Sequence, residues 1–111
     1  MDIGLASGGR QGPADRVALL VAREKRIAKS LLFSRSRCGL KAARARQLAM
    51  YLTHVMLSQS LTAVGQAFGR DRTTVSYACA LIEDMREDPG FDAEVCRLEA
   101  MLETETDGRH G

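Results

Sequence analysis

The chain has 111 residues and a net charge of +2, from 16 Lys and Arg against 14 Asp and Glu. A chain of this length holds one compact domain, and no stretch approaches the roughly 20 uninterrupted apolar residues of a membrane span. The first 13 residues carry no apolar run of signal-peptide length, so we expect a cytoplasmic protein with no membrane segment.

The amino-terminal half is predicted to form two helices after a tail. Residues 1–12 are rich in Gly and Ser and predict a flexible segment. Over 13–33, apolar residues recur at intervals of three and four with basic residues between them, which predicts one amphipathic helix. Residues 34–39 interrupt this pattern, and a second helix is predicted over 41–57.

A short helix and a longer helix follow, separated by a glycine. The short helix is predicted over 61–69, with Gly69 in the left-handed conformation that is usual just past a helix end. Asp71 is a favourable N-cap residue for a fourth helix over 72–87, whose apolar residues form a continuous face.

The last predicted helix is acidic and spans 91–103, and residues 106–111 are predicted to fray. No segment shows the apolar alternation of a β-strand. The sequence therefore predicts an all-α fold, a compact bundle of about five helices in one domain over 13–105.

Charge is distributed unevenly along the chain. Residues 1–50 hold 11 Lys and Arg against 3 Asp and Glu, a balance of +8, while residues 51–111 hold 5 against 11, a balance of −6. Such an asymmetry is typical of a basic surface that binds a polyanion. Two solvated helix faces of opposite charge would give the same numbers, so charge alone leaves both interpretations open.

The two helices around Gly69 have the spacing of a helix-turn-helix. In that motif the second helix inserts its N-terminal end into the DNA major groove, so the residues there must be polar and exposed. Arg72, Thr73 and Ser76 lie off the apolar face of the fourth helix. Arginine donates two parallel hydrogen bonds to guanine, and threonine offers its methyl group to thymine. Similar helix pairs also occur in bundles that do not bind DNA, and spacing alone does not separate the two.

Two blocks of sequence add a family resemblance. ARQLAMYL at 45–52 and LTAVGQAFGRDRTTVSYAC at 61–79 resemble the carboxy-terminal DNA-binding domain of DnaA, the family of bacterial chromosomal replication initiators. The matching region runs from 30 to 103. The resemblance implies the helical fold of that domain and of the Trp repressor, with a helix-turn-helix that binds double-stranded DNA.

The resemblance also implies which residues contact DNA. The residues that read bases in the major groove are Asp71, Arg72, Thr73 and Thr74, to which the spacing adds Ser76. The residues that contact the phosphate backbone are Arg46, Gln47, Leu61 and Thr62, to which the neighbouring cations add Arg44 and Arg70. The basic loop that enters the minor groove supplies Arg35 and Arg37, with Lys41 beside them.

Three departures from the family pattern affect the expected target. Arg72 stands where the family usually has histidine, and the turn reads FGRD, one glycine shorter than the usual FGGRD. The first change alters a side chain that contacts bases, and the second alters the angle at which the fourth helix enters the groove. His54 stands where lysine is common, which removes one phosphate contact. We therefore expect duplex binding to be kept and the preferred site to differ.

No signal for catalysis, a metal or a cofactor is present in the sequence. The string Gly-x4-Gly-Lys-[Ser/Thr], which cradles nucleotide phosphates, does not occur, and 111 residues would not hold the ATPase module of DnaA. Three cysteines and two histidines make no recognisable zinc set, and no side-chain constellation for catalysis is evident. We expect a protein that is not an enzyme and does not bind ATP.

The sequence thus predicts an ATP-independent, sequence-specific binder of double-stranded DNA that is associated with the nucleoid. Its role is either transcriptional regulation or control of replication initiation. The alternative is a protein-interaction module that keeps the fold without DNA binding. Its contact face would be the acidic side chains of Asp92, Glu94, Glu99 and Glu103. A homodimer or a protein partner would bind through the 13–33 or the 91–103 helix.

Overall fold

The computed structural model describes residues 12–34 and 39–110, with side chains described as far as Thr104. Residues 1–11 of the predicted tail lie outside the described residues. Arg35 and Arg37 of the predicted minor-groove loop also lie outside them.

The described residues form six helices and no strand, which confirms the all-α fold. The helices are α1 (Pro13–Lys25), α2 (Lys29–Phe33), α3 (Leu40–Met56), α4 (Leu61–Phe68), α5 (Arg72–Met85) and α6 (Pro89–His110). This is one helix more than the sequence predicts, because the stretch over 13–33 is divided in two.

The division lies at Arg26, whose φ of 59° and ψ of 49° are left-handed. Its amide N–H donates to the carbonyls of Ala22 and Arg23, which closes α1 as a glycine C-cap would. Since no glycine or proline stands there, no residue type marks the break. The turn lets Ile27 pack against the core and brings the fully buried Leu32 into it, so tertiary packing overrides a continuous helical pattern.

The last helix is longer than predicted at both ends. It begins at Pro89, a residue type favoured in a first turn because it has no N–H to satisfy, and Asp88 Oδ2 accepts the Phe91 N–H at 2.9 Å. The backbone stays helical to His110, past the predicted end at Glu103 and through 106–110, which the sequence predicts to fray. No second proline follows to stop the helix.

The central helix is α3, which packs against all five of the others. Ala45 and Ala49 are buried beside Leu48 and Leu52, and the small side chains let neighbouring helices approach closely. Its largest contacts are with α1 and with α5. The position of α5, and so of the candidate site, is therefore fixed chiefly by its packing on α3.

Candidate nucleic-acid interface

A helix-turn-helix is formed by α4, a three-residue turn and α5. Ser60 caps α4 by accepting the Ala63 N–H at 3.0 Å. Gly69 ends α4 with φ 69° and ψ 35°, which confirms the predicted left-handed conformation. The Arg70 amide then donates to the Gly65 carbonyl at 2.8 Å, so the turn folds back on α4 and starts α5 directly.

Gly65 sets how closely the turn approaches α4. A Cβ atom built on this residue would lie 2.4 Å from the Arg70 carbonyl oxygen, which is closer than real Cβ atoms approach a neighbour. The backbones of α4 and of the turn therefore touch at a point where only glycine fits. In the sequence the only signal is a lone glycine within a helical run, which does not by itself mark a close backbone contact.

α5 is divided into a buried face and an exposed face. Val75, Ala78 and Ile82 are buried against the core. The five residues predicted to read bases are all exposed, and they are Asp71, Arg72, Thr73, Thr74 and Ser76. The helix-turn-helix thus presents them together on the first turns of α5, where the motif enters a groove.

Asp71 caps the first turn of α5. Its Oδ1 accepts the Thr74 N–H at 2.8 Å. Hydrogen bonds from the backbone and side chain of Thr74, together with the backbone of Thr73, hold the pKa of the Asp71 carboxyl below its ordinary value of 3.8. The carboxylate is therefore charged at neutral pH and neutralises part of the positive helix end.

Tyr77 is a further candidate contact, which was not among the residues predicted from the sequence. Its side chain is 69% exposed, and it stands four residues after Thr73 and three after Thr74, on the neighbouring turn of the same face. That spacing was readable from the sequence. Beyond it, Glu83 and Asp84 are exposed and would repel phosphates, so the surface suited to DNA is the N-terminal half of α5.

The predicted backbone contacts fall into an outward group and an inward group. Lys41 and Thr62 are exposed on the first turns of α3 and α4. Arg44 is half-buried and its Nη1 donates to Gln47 Oε1 at 2.9 Å, so two predicted phosphate contacts bond to each other. Leu61 is partly buried against the core. A DNA contact at this position would therefore come from the backbone at the start of α4 and not from the Leu61 side chain.

Arg46 and Arg70 form the inward group. Arg46 is only 9% exposed, and its Nε and Nη2 each donate at 3.1 Å to the carbonyls of Leu32 and Leu31. Arg70 Nη2 donates to the Ser34 carbonyl at 2.9 Å. Both guanidinium groups thus bind the end of α2.

The described part of the chain shows no arrangement that suggests metal binding. Within it, no group of three or more His, Cys, Asp or Glu side chains could hold a metal ion, and Cys79 and Cys96 are free thiols. No helix in 12–34 or 39–110 is long and apolar enough to cross a membrane.

Comparison with known proteins identifies the family. A sequence profile described as bacterial dnaA protein helix-turn-helix matches residues 14–82, which run from α1 to near the end of α5. Two relatives, from Laribacter hongkongensis and Chromobacterium violaceum, are 42% and 40% identical to the chain over 100 residues. Each alignment covers 88% of this chain and 21% of the relative.

A third relative, from Psychromonas ingrahamii, is 38% identical over 85 residues, which cover 76% of this chain and 18% of the relative. All three carry the name chromosomal replication initiator protein DnaA. The chain therefore spans about a fifth of the length of these relatives. Since the profile matches more than half of the chain and includes the helix-turn-helix described above, a motif that binds DNA, the chain belongs to the bacterial DnaA helix-turn-helix family.

Proposed function

We propose that the chain binds double-stranded DNA at preferred sequences, with the N-terminal end of α5 in the major groove. The observation that carries this proposal is the division of α5. Its inner face is buried by Val75, Ala78 and Ile82, while Arg72 and Thr73 are exposed at its tip. A tip of this kind, held rigidly by α4 and α3, is what a groove-reading helix requires.

Each exposed residue of the tip has a distinct chemical task. Arg72 donates a pair of hydrogen bonds to the O6 and N7 acceptors of a guanine. The Thr73 and Thr74 methyl groups contact thymine, and their hydroxyls bond to bases of either type. Asp71 holds the first turn in place through its cap, and its second oxygen is the one suited to a cytosine amine.

Backbone affinity comes from the residues beside the tip. Lys41, Arg44, Gln47 and Thr62 are the described candidates, since cations and polar side chains are the usual phosphate partners. Each phosphate that these side chains neutralise makes the slope of log affinity against log salt more negative by about 0.9. The proposed contacts involve no nucleotide, so binding by this chain is expected to be the same with and without ATP.

The role that fits best is control of chromosomal replication initiation or of transcription through sites related to those of the initiator. The relatives are named as replication initiators, and this chain corresponds to about a fifth of them. Arg72 changes a side chain proposed to contact bases, and the shortened turn changes the angle of α5. The preferred DNA site is therefore expected to differ from the usual site of the family.

The acidic side chains of α6 argue against the alternative of a protein-interaction module. Glu94 pairs with Lys25 of α1, and Arg86 bonds to Asp92 at 2.6 Å and to Glu99 at 2.8 Å. Three of the four carboxylates proposed as a contact face are therefore bonded within the fold. This leaves Glu103 as the exposed member of that set.

The proposal is tested by selecting bound sequences from a random duplex pool and titrating the selected site across salt. Arg72→Ala is expected to weaken binding by roughly 1–3 kcal/mol and to blunt discrimination at one base pair. The matched control is Arg97→Ala, which removes the same charge from α6 beside Glu24 and should leave selectivity intact. Absence of any salt-sensitive DNA affinity would refute the proposal, and unchanged selectivity of Arg72→Ala would remove Arg72 from the base readers.

A further inference from the structure

The carbonyl groups at the end of α2 are bound by two arginines from other elements. Arg46 of α3 donates to Leu31 and Leu32, and Arg70 of the turn before α5 donates to Ser34. The last carbonyls of a helix have no partner within the helix, and they carry a partial negative charge that attracts cations. Together the two guanidinium groups occupy the C-terminal end of this five-residue helix.

Arg70 also binds the end of α4. Its Nη1 lies 3.2 Å from the Phe68 carbonyl oxygen and 3.3 Å from that of Gly69. The same guanidinium therefore joins the C-terminal ends of α2 and α4. Beside this junction the rings of Phe33 and Phe68 stack, with centroids 4.8 Å apart and planes 9° from parallel.

These contacts connect two surfaces that the proposed DNA complex uses at once. Arg46 belongs to α3, the helix that carries Arg44 and Gln47, while Arg70 directly precedes the cap of α5. Both are fastened to α2, which thereby adds a second connection between α3 and the helix-turn-helix, beside the direct packing of α5 on α3. A guanidinium that turned outward to a phosphate would break these bonds to partly or fully buried carbonyls, which is costly, although the Leu31 carbonyl would keep the Ser34 N–H at 3.3 Å.

We propose that Arg46 and Arg70 are positioning residues, which hold α2 as a spacer between α3 and the helix-turn-helix, and that neither contacts phosphate. This inference rests on the proposed DNA binding and deepens it. The resemblance implied a phosphate contact at Arg46, and the local charge implied one at Arg70. The hydrogen bonds of the folded chain give them a different task, which is to keep the phosphate-binding residues and the base-reading tip in one fixed arrangement.

The test compares Arg70→Lys and Arg70→Ala with the parent chain on the selected site and on non-specific duplex, across salt, at a temperature where circular dichroism shows every variant folded. Lysine keeps the charge that a phosphate needs but lacks the fork that reaches several carbonyls. Positioning predicts that both variants lose about tenfold or more in the ratio of specific to non-specific affinity. It also predicts that their salt slope on non-specific duplex is unchanged.

Arg44→Ala is the matched control, because Arg44 is a proposed phosphate contact on the neighbouring helix. Its salt slope should become shallower by about 0.9 with the specificity ratio unchanged. If Arg70→Lys keeps parental affinity and selectivity while Arg70→Ala shows the shallower slope, Arg70 is a phosphate contact and the inference is overturned. A parent chain that binds no DNA would instead overturn the proposed function.

Arg46 is tested without a substitution, because removing so buried a side chain endangers folding. The Nε–H of Arg46 donates to Leu32 in the free chain, so its nuclear magnetic resonance signal should stay in place when the selected duplex is added. The signal of Arg72 should move in the same titration. A shift at Arg46 as large as that at Arg72 would contradict the positioning assignment.

Discussion

Asp71 illustrates at the scale of one residue why a position proposed to lie near DNA can carry an acidic side chain. A carboxylate at the mouth of a groove repels phosphates, yet this one accepts the Thr74 N–H at 2.8 Å and so completes the first turn of α5. The N-terminal end of α5, which carries the proposed base contacts, is stabilised more by a charged cap than by a neutral one, because that end of a helix is positive.

The cap gives a pH dependence whose sign follows from the lowered pKa of Asp71. Its stabilisation is fully present above the ordinary pKa of 3.8 and is lost as the pH falls through the lower pKa of the folded chain. Thermal unfolding of the parent and of Asp71→Ala should differ most at about pH 5 to 7 and converge in acid. Asp71→Ser, a cap that does not titrate in this range, should keep its advantage over Asp71→Ala throughout. A gap that widened in acid would contradict the assignment.

At the scale of elements, the angle between α4 and α5 depends on one close backbone approach. The turn is short because Arg70 donates to the Gly65 carbonyl, and this is possible only where α4 has no side chain. The turn in this chain is one glycine shorter than the usual family form, FGRD in place of FGGRD. The orientation of α5 is therefore set by Gly65 together with the left-handed Gly69.

Gly65→Ala separates helix propensity from this tertiary constraint. Propensity alone predicts that alanine stabilises a helix interior by about 1 kcal/mol. The 2.4 Å approach of the new Cβ to the Arg70 oxygen predicts the opposite, a loss of roughly 1–3 kcal/mol in the free energy of unfolding. Denaturant unfolding measures it. Gly90→Ala is the control, since its nearest atom is the side-chain oxygen of Asp88 at 3.4 Å, and it should not destabilise α6. A stabilised Gly65→Ala would show that the turn is not held by this contact.

At the scale of the whole molecule, Arg86 joins three helices just past the end of α5. Its guanidinium donates to Tyr51 of α3 at 2.9 Å and to Asp92 and Glu99 of α6. The hydrogen bond to Glu99 contributes most to raising the pKa of Arg86 above its ordinary value. The far end of α5 is thereby fixed, which keeps its exposed tip in place.

Arg86→Met should therefore destabilise the fold by about 1–3 kcal/mol, because it leaves the partly buried Asp92 and Glu99 without their donor. The Glu99 side chain is only 23% exposed, so solvent cannot replace its donor fully, whereas the Asp92 side chain is 42% exposed and water reaches it. Arg97→Met removes an ion pair to Glu24 in which the arginine is 54% exposed, and such surface pairs contribute little. Chemical denaturation of both variants measures the difference. Equal losses would show that Arg86 is no more than another surface ion pair.

Much of the fold was readable from the sequence because it depends on local chemistry. The spacing of apolar residues located α3, α4 and α5, and the residue types at Gly69 and Asp71 marked the turn between them. The exposed tip followed from the same pattern, since residues off the apolar face of a helix are exposed wherever the helix packs on one side. The two sequence blocks at 45–52 and 61–79 indicated the family.

The tertiary structure decided what depends on contacts between distant segments. Arg46 and Arg70 read as cations for phosphate, and only the folded chain places the carbonyls of Leu31, Leu32 and Ser34 within their reach. The break at Arg26 had no residue signal either. A side chain's partners are set by which helices pack together, and sequence periodicity fixes the buried face of each helix but not its neighbour.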